Sequence, residues 1–202
     1  MNVGVLASGA GTNLQALIDR AHGRDGVQLV AVASDKPDAR ALARAGEAGI
    51  AAELFGRDGF ADRPARDAAI AGWLRERGVD LVVLAGYMQL LSPQFLATFP
   101  NAVINVHPAL LPAFPGLQAV QQAVDYGVKV FGVTVHFVDG GVDTGPVILQ
   151  RALELPDARD AEHVLERLHP VEHELLVDAV GLLARGAISF DPGNRRRVVI
   201  AR

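Results

Sequence analysis

The chain has 202 residues, half of them hydrophobic and 21% charged, with a formal net charge of −4 and no cysteine. That length buries a sizeable core within one domain, or one domain with a small appendage, and the absence of cysteine excludes disulfides, thiolate metal sites and a cysteine nucleophile. The acidic balance argues against a nucleic-acid partner, which calls for a basic patch; no run reaches the roughly 18 apolar residues of a membrane span and no basic head precedes the first apolar run, so the cytoplasm is the expected location.

Met1 to Ala7 is predicted as a buried strand, closed by the turn Ser8-Gly9-Ala10-Gly11. From Thr12 to Ala21 a helix is predicted, because Leu14, Leu17, Ile18 and Ala21 fall on one face. Val27 to Ala33 is predicted as the next strand, Asp38 to Ala48 as an Ala-rich helix ended by Gly49, and Ala51 to Phe55 as a short strand. Gly56 to Arg63 reads as a loop. Pro64 to Arg77 reads as a helix with proline at its start, where the missing N–H costs nothing. Asp80 to Ala85 is predicted as a buried strand, Ser92-Pro93 as the opening of a short helix to Thr98, and Ala102 to Val106 as a further strand.

Strands alternating with helices predict an α/β fold with a doubly wound, mostly parallel, Rossmann-like sheet. The second half differs. Lys129 to Val138 and Pro146 to Leu155 are strand-like and separated only by Asp139 to Gly145, too short for a crossover helix, so an antiparallel pair is predicted. Asp160 to Arg185 is predicted as one long amphipathic helix with a bend at Pro170. The expected organisation is a single domain over 1–202: a nucleotide-binding-like half over 1–100, a catalytic half over 101–186, and a Pro/Gly/Arg-rich tail over 187–202. The one dense basic run, Arg195-Arg196-Arg197, reads as part of a solvated tail.

Three segments carry candidate chemistry. Ser8-Gly9-Ala10-Gly11-Thr12-Asn13 lies between a strand and a helix, where backbone N–H groups favour an anion. Leu14 stands where a dinucleotide fingerprint needs glycine, and there is no Gly-Lys-Ser/Thr, so a monophosphate cradle fits better than a dinucleotide or triphosphate site. The alternative is a tight glycine turn with Thr12 as helix cap. Asn105 and His107 alternate by two at a strand end and share a face. Asn offers a neutral donor to an oxyanion and His an acid or base near neutral pH, though a histidine satisfied structurally at a strand end is the competing reading. Asp139 to Pro146 is a Gly-rich loop holding the carboxylate Asp143, which near His107 would favour the charged imidazole; the same residues also suit a plain turn. His136, alternating with Thr134, reads as structural rather than catalytic. No metal is expected: His169 and His173 are four apart but lack a third ligand. The Gly-x-Ser-x-Gly of a serine hydrolase is absent.

Taken together these segments resemble the folate-dependent formyltransferases, and within them the phosphoribosylglycinamide formyltransferases of purine biosynthesis. Leu6 to Gln15 resembles their phosphate loop and Leu84-Ala85-Gly86-Tyr87-Met88 the strand ending at their folate pocket. Asn105-Val106-His107-Pro108 with Leu110-Leu111-Pro112 resembles their catalytic segment, and Asp139 to Pro146 followed by Val147-Ile148 their folate loop. The likeness runs from Met1 to about Gly186.

The resemblance implies Asn105, His107 and Asp143 as catalytic residues. It implies Gly11, Thr12, Asn13, His169 and Glu172 as contacts to the phosphorylated substrate. Met88, Gln89, Leu90 and Leu91 would line the pterin pocket, Arg63 would face the folate tail, and Asp139, Gly140, Gly141, Val142 and Asp143, with Asn105, would surround the pterin. The co-substrate implied is 10-formyltetrahydrofolate, with no metal; the partners implied are small molecules, with no nucleic acid or membrane, in a monomer or homodimer.

Three positions depart from the family's pattern: Gln89 where Arg is frequent, Ala109 where Ser is common, and Leu176-Val177 in place of a Tyr-Pro pair. A formyltetrahydrofolate deformylase is the nearest rival. It usually adds an N-terminal regulatory domain and a second His after the catalytic one, where Pro108 stands here. Formyltransferases acting on methionyl-tRNA or nucleotide sugars carry a further C-terminal domain for which 202 residues leave no room. A nonenzymatic nucleotide-binding protein is the rival from another class.

Overall fold

The structure is a computed structural model and describes residues 1–201. The chain separates into two compact units, Met1–Asn105 and Val106–Arg202.

The first unit is built on short strands, all but one of them apolar and buried on both faces, the pattern of a parallel sheet. They are β1 (Asn2–Leu6), β2 (Gln28–Ser34), β3 (Ala51–Leu54), β4 (Leu81–Leu84) and the start of β5 (Val103–His107). Every neighbouring pair is parallel, in the order β3-β2-β1-β4-β5. The crossovers are α1 (Thr12–Arg20), α2 (Arg40–Glu47), α3 (Arg63–Glu76) and α4 (Pro93–Thr98). Helix α1 packs on α2, and α3 on α4. Right-handed crossovers running outward in both directions from β1 and β4 place these two pairs on opposite faces, which makes the sheet doubly wound as expected.

Local chemistry explains the boundaries. Asp62 and Ser92 cap α3 and α4 by accepting the N–H of Ala65 and Phe95, with Pro64 and Pro93 in the first turns. Gly4 lets α3 lie close on β1, since a Cβ there would come within 2.8 Å of Leu74. The edge strand β3 is only four residues long and exposed throughout, a common way to blunt a sheet edge.

In the second unit α5 (Ala119–Tyr126) is followed by β6 (Val130–Phe137), β7 (Val147–Glu154) and α6 (Ala161–Ala184). Strands β6 and β7 pair antiparallel, as their short connection demands, with a register shift between Val135 and His136. Helix α6 packs on both strands and on α5; it continues through Pro170. The expected tail instead forms a hairpin, β8 (Ile188–Asp191) and β9 (Asn194–Ile200), and β9 meets β7 through Val147 and Arg197. Its signal is Asp191-Pro192-Gly193-Asn194, a turn between two strand-length runs. Helix α5 also went unpredicted. It is short and buries only Ala119, Val120 and Ala123, too weak a stripe to stand out after three prolines.

Candidate active site

In the first unit, the loops after β1 and β4 meet where the strand order reverses, the place at which open α/β sheets bind ligands. Ser8 joins them. Its N–H donates to the Gly86 carbonyl at 3.2 Å, and its hydroxyl accepts the Met88 N–H at 3.0 Å while donating to Asp35 at 2.6 Å. Gly11 is the N-cap of α1 with φ 69°, and a Cβ there would lie 2.9 Å from Ala41, so this turn requires glycine. Because Gly11 holds that position, Thr12 is the first helical residue, not a cap, and no side chain caps α1. The carbonyls of Gly9 and Ala10 are taken by the Ala41 N–H and the Arg44 side chain. What remains at the turn is a helix N-terminus with its first-turn N–H groups, the polarity an anion prefers. Thr12 is half-buried and Asn13 buried there.

Beyond β4, Met88 and Leu90 are 61% and 56% exposed, an unusual state for large apolar side chains at a strand end. Between them Gln89 accepts a 2.6 Å hydrogen bond from Arg57. Leu91 is half-buried, and Arg63 is exposed in the first turn of α3. Tyr87 is buried, and burial pushes its phenol pKa up, so the hydroxyl stays neutral.

Strand β5 carries Asn105 and His107 to one face, two residues apart. His107 is buried and its ring faces two oxygens. Nδ1 lies 3.3 Å from Asp143 Oδ2, and Nε2 lies 2.8 Å from the Phe114 carbonyl. Asp143 also accepts the Gly116 N–H at 2.8 Å, and its other oxygen lies 3.5 Å from His136 Nε2. His136 Nδ1 in turn faces the Phe137 carbonyl at 2.8 Å. One carboxylate therefore sits between two imidazoles, each backed by a backbone carbonyl. Each ring faces two acceptors, and only the doubly protonated ring donates to both. Burial alone would raise the Asp143 carboxyl. The hydrogen bond from His136, the Gly116 N–H and the charges of His107 and His136 outweigh it and bring the pKa from 3.8 down to about 2.

Two devices hold this arrangement. The segment after His107 is fastened to β6 by the Thr134 hydroxyl, which donates to the Ala109 carbonyl at 2.7 Å and accepts from the Leu111 N–H at 3.1 Å and the Gln150 amide at 2.9 Å. The loop carrying Asp143 closes on Asp139, whose Oδ1 takes the Gly141 N–H at 3.0 Å and the Thr144 hydroxyl at 2.6 Å. Gly140 and Val142 are exposed at its tip. A Cβ on Gly145 would run into the Phe137 carbonyl, so the two ends of the loop approach as only glycine allows.

The structure thus brings His107 and Asp143 into direct contact, and it adds His136, which the sequence left as a structural residue. Its signal was its place in a strand buried almost throughout, where a polar ring needs a partner. On α6, Glu172 is buried, while His169 is exposed and stacks on His173 with ring centroids 6.4 Å apart. Among the described residues no group of three or more His, Cys, Asp or Glu side chains could hold a metal ion, and no helix is long and apolar enough to cross a membrane.

A strand-end imidazole oriented by a carboxylate, on an α/β sheet, is the equipment of an enzyme that moves protons during group transfer. Residues 1–180 match the family described as formyl transferase, and the chain belongs to that family. It is 45% identical over 188 residues to the phosphoribosylglycinamide formyltransferase of Mycobacterium tuberculosis, covering 92% of this chain and 86% of that one. It is 41% identical over 195 residues to the trifunctional purine biosynthetic protein adenosine-3 of Drosophila melanogaster; this covers 94% of the chain but only 14% of that much longer protein. Among solved structures, glycinamide ribonucleotide transformylase 1 from Symbiobacterium toebii superposes with a TM-score of 0.95 at 45% identity, over 100% of this chain and 94% of that one.

Proposed function

We propose that the chain transfers the formyl group of 10-formyltetrahydrofolate to the amine of glycinamide ribonucleotide, giving the formylated ribonucleotide and tetrahydrofolate, a step of de novo purine biosynthesis. The observation that carries the catalytic assignment is the His107–Asp143 contact of 3.3 Å, in a member of the formyl transferase family. The substrate amine attacks the formyl carbon, and negative charge grows on the formyl oxygen. Asn105 supplies a neutral donor to that oxygen and protonated His107 a charged one; one well-placed donor contributes about 3–4 kcal/mol. Asp143 fixes the ring through Nδ1, leaving Nε2 to exchange the Phe114 carbonyl for a reacting atom. The amine proton then reaches N10 of the leaving folate, with His107 and water as carriers.

Gly11, Thr12 and Asn13, at the N-terminus of α1, hold the substrate phosphate, and His169 and Glu172 contact the rest of that molecule. Met88, Gln89, Leu90 and Leu91 line the pterin pocket; the exposure of Met88 and Leu90 supports this, since apolar side chains held in the open suit a flat apolar ring. Arg63 faces the carboxylates of the folate tail, and Asp139, Gly140, Gly141 and Val142 enclose the pterin beside Asp143. The reading takes small molecules alone as partners, no nucleic acid or membrane, a monomer or homodimer, and the cytoplasm.

Absorbance at the wavelength that distinguishes formylated from free folate, with and without glycinamide ribonucleotide, tests the reaction. Deformylation that requires the ribonucleotide and yields its formyl derivative supports transfer. Formate released without it would mean a hydrolase, and binding without turnover would mean a binding protein.

A further inference from the structure

We infer that the β8–β9 hairpin braces the loop that carries Asp143, with Arg196 as its positioning residue; this rests on the reading of Asp143 as the partner of His107 in the reaction. The hairpin lies beyond residues 1–180, which match the family. It touches the Asp143 loop and the two strand ends that flank it at three points. The Phe190 ring packs on Phe137, the last residue of β6, with centroids 5.0 Å apart. Arg197 pairs with Val147, the first residue of β7. Between these, Arg196 Nη2 donates a 2.7 Å hydrogen bond to the carbonyl of Thr144, the residue directly after Asp143.

The loop needs such a brace. Asp143 adopts φ 53°, in the left-handed region, which aspartate enters more readily than most residues but still at a cost relative to the ordinary basins, so contacts that hold it there set the loop's geometry. From inside the loop, Thr144 is held by its hydroxyl on Asp139. From outside, its carbonyl is held by a guanidinium, a charge-assisted bond stronger than a neutral one. With its hydroxyl and its carbonyl both held, Thr144 anchors the backbone directly after Asp143. The contact being protected has little slack: 3.3 Å to His107 is already at the long end of hydrogen-bond range. The neighbouring arginine has a different task, since Arg197 lies 3.7 Å from Asp191 within the hairpin itself.

The test compares Arg196→Gln, Arg196→Lys and Asp143→Asn in the full chain, reading kcat, KM for the ribonucleotide and thermal midpoint. Arg196→Gln should lower kcat about tenfold, the effect of one charged hydrogen bond at its weaker end, with KM for the ribonucleotide unchanged and the midpoint lowered by no more than about 2–6 °C. Arg196→Lys, which keeps one charged donor, should restore most of the lost kcat. An unchanged kcat in Arg196→Gln while Asp143→Asn is crippled would overturn the brace and leave the His107–Asp143 reading intact. A fall in kcat that tracks a larger fall in midpoint and is not rescued by lysine would also overturn it, as the mark of a merely structural role. Wild-type kcat in Asp143→Asn would remove the reading on which the inference stands.

Discussion

Asp143 Oδ2 lies 3.3 Å from His107 Nδ1 and 2.8 Å from the Gly116 N–H, so one carboxylate oxygen fixes both the ring and the far end of the stiff segment that follows it. The position of the imidazole is therefore set from the loop side and the strand side together.

If His107 acts mainly on the transition state, His107→Ala should lower kcat by about 10²–10³ and leave substrate binding within a few-fold. Steady-state kinetics together with equilibrium binding of a folate analogue would separate the two. A loss confined to binding would reassign the residue.

Asp143→Asn should also cripple turnover, and here the backbone matters to the choice of variant. Asparagine tolerates φ 53° far better than alanine, so it removes charge without adding strain. The same variant changes acid stability. The folded-state pKa of about 2 lies below the ordinary 3.8, so ionised Asp143 stabilises the fold above about pH 4, and that contribution is lost as pH falls toward 2. Denaturant midpoints from pH 6 to 2 should fall less steeply in Asp143→Asn; identical slopes would show the carboxylate to be uncoupled from folding.

Thr12→Ala should raise KM for the phosphorylated substrate by about tenfold, the value of one hydrogen bond to a charged group, and leave KM for the folate alone. Gly11→Ala should be worse at the same step. It forces a Cβ onto the α2 backbone at a positive φ, so the loop itself must move. An unaltered KM in both would remove the phosphate from this turn.

Gly145→Ala offers a control for loop geometry without touching a proposed catalytic group. Its Cβ would collide with the Phe137 carbonyl, whose oxygen also faces His136. A cost of about 2 kcal/mol or more is expected, together with loss of turnover; thermal unfolding and activity measured on one sample would check it.

Much of this was legible beforehand because its signals are local. The parallel half follows from apolar runs such as Leu81-Val82-Val83-Leu84, and the antiparallel pair from a connection too short to cross over. Asn105 and His107 were placed on one face by strand alternation alone. What escaped depends on contacts distant in the chain. His136 gains its interest only because a loop seven residues on turns Asp143 back toward it. The Phe114 carbonyl, backing His107, carries no side-chain signal at all. The arginine run reads as a solvated tail because it is a dense charge run near the end of the sequence, and its three residues are indeed exposed; one of them reaches across to Thr144 all the same.

The Thr134 hydroxyl has one proton and two lone pairs, and all three are used. Valine, its nearest match in shape, would strand a carbonyl and an amide at once and leave the Gln150 amide only its 2.8 Å bond to the Leu111 carbonyl, whereas serine would strand none. Hydrogen exchange would register the same bolt: the Leu111 amide belongs to no strand or helix, yet it should exchange as slowly as the strand amides beside it.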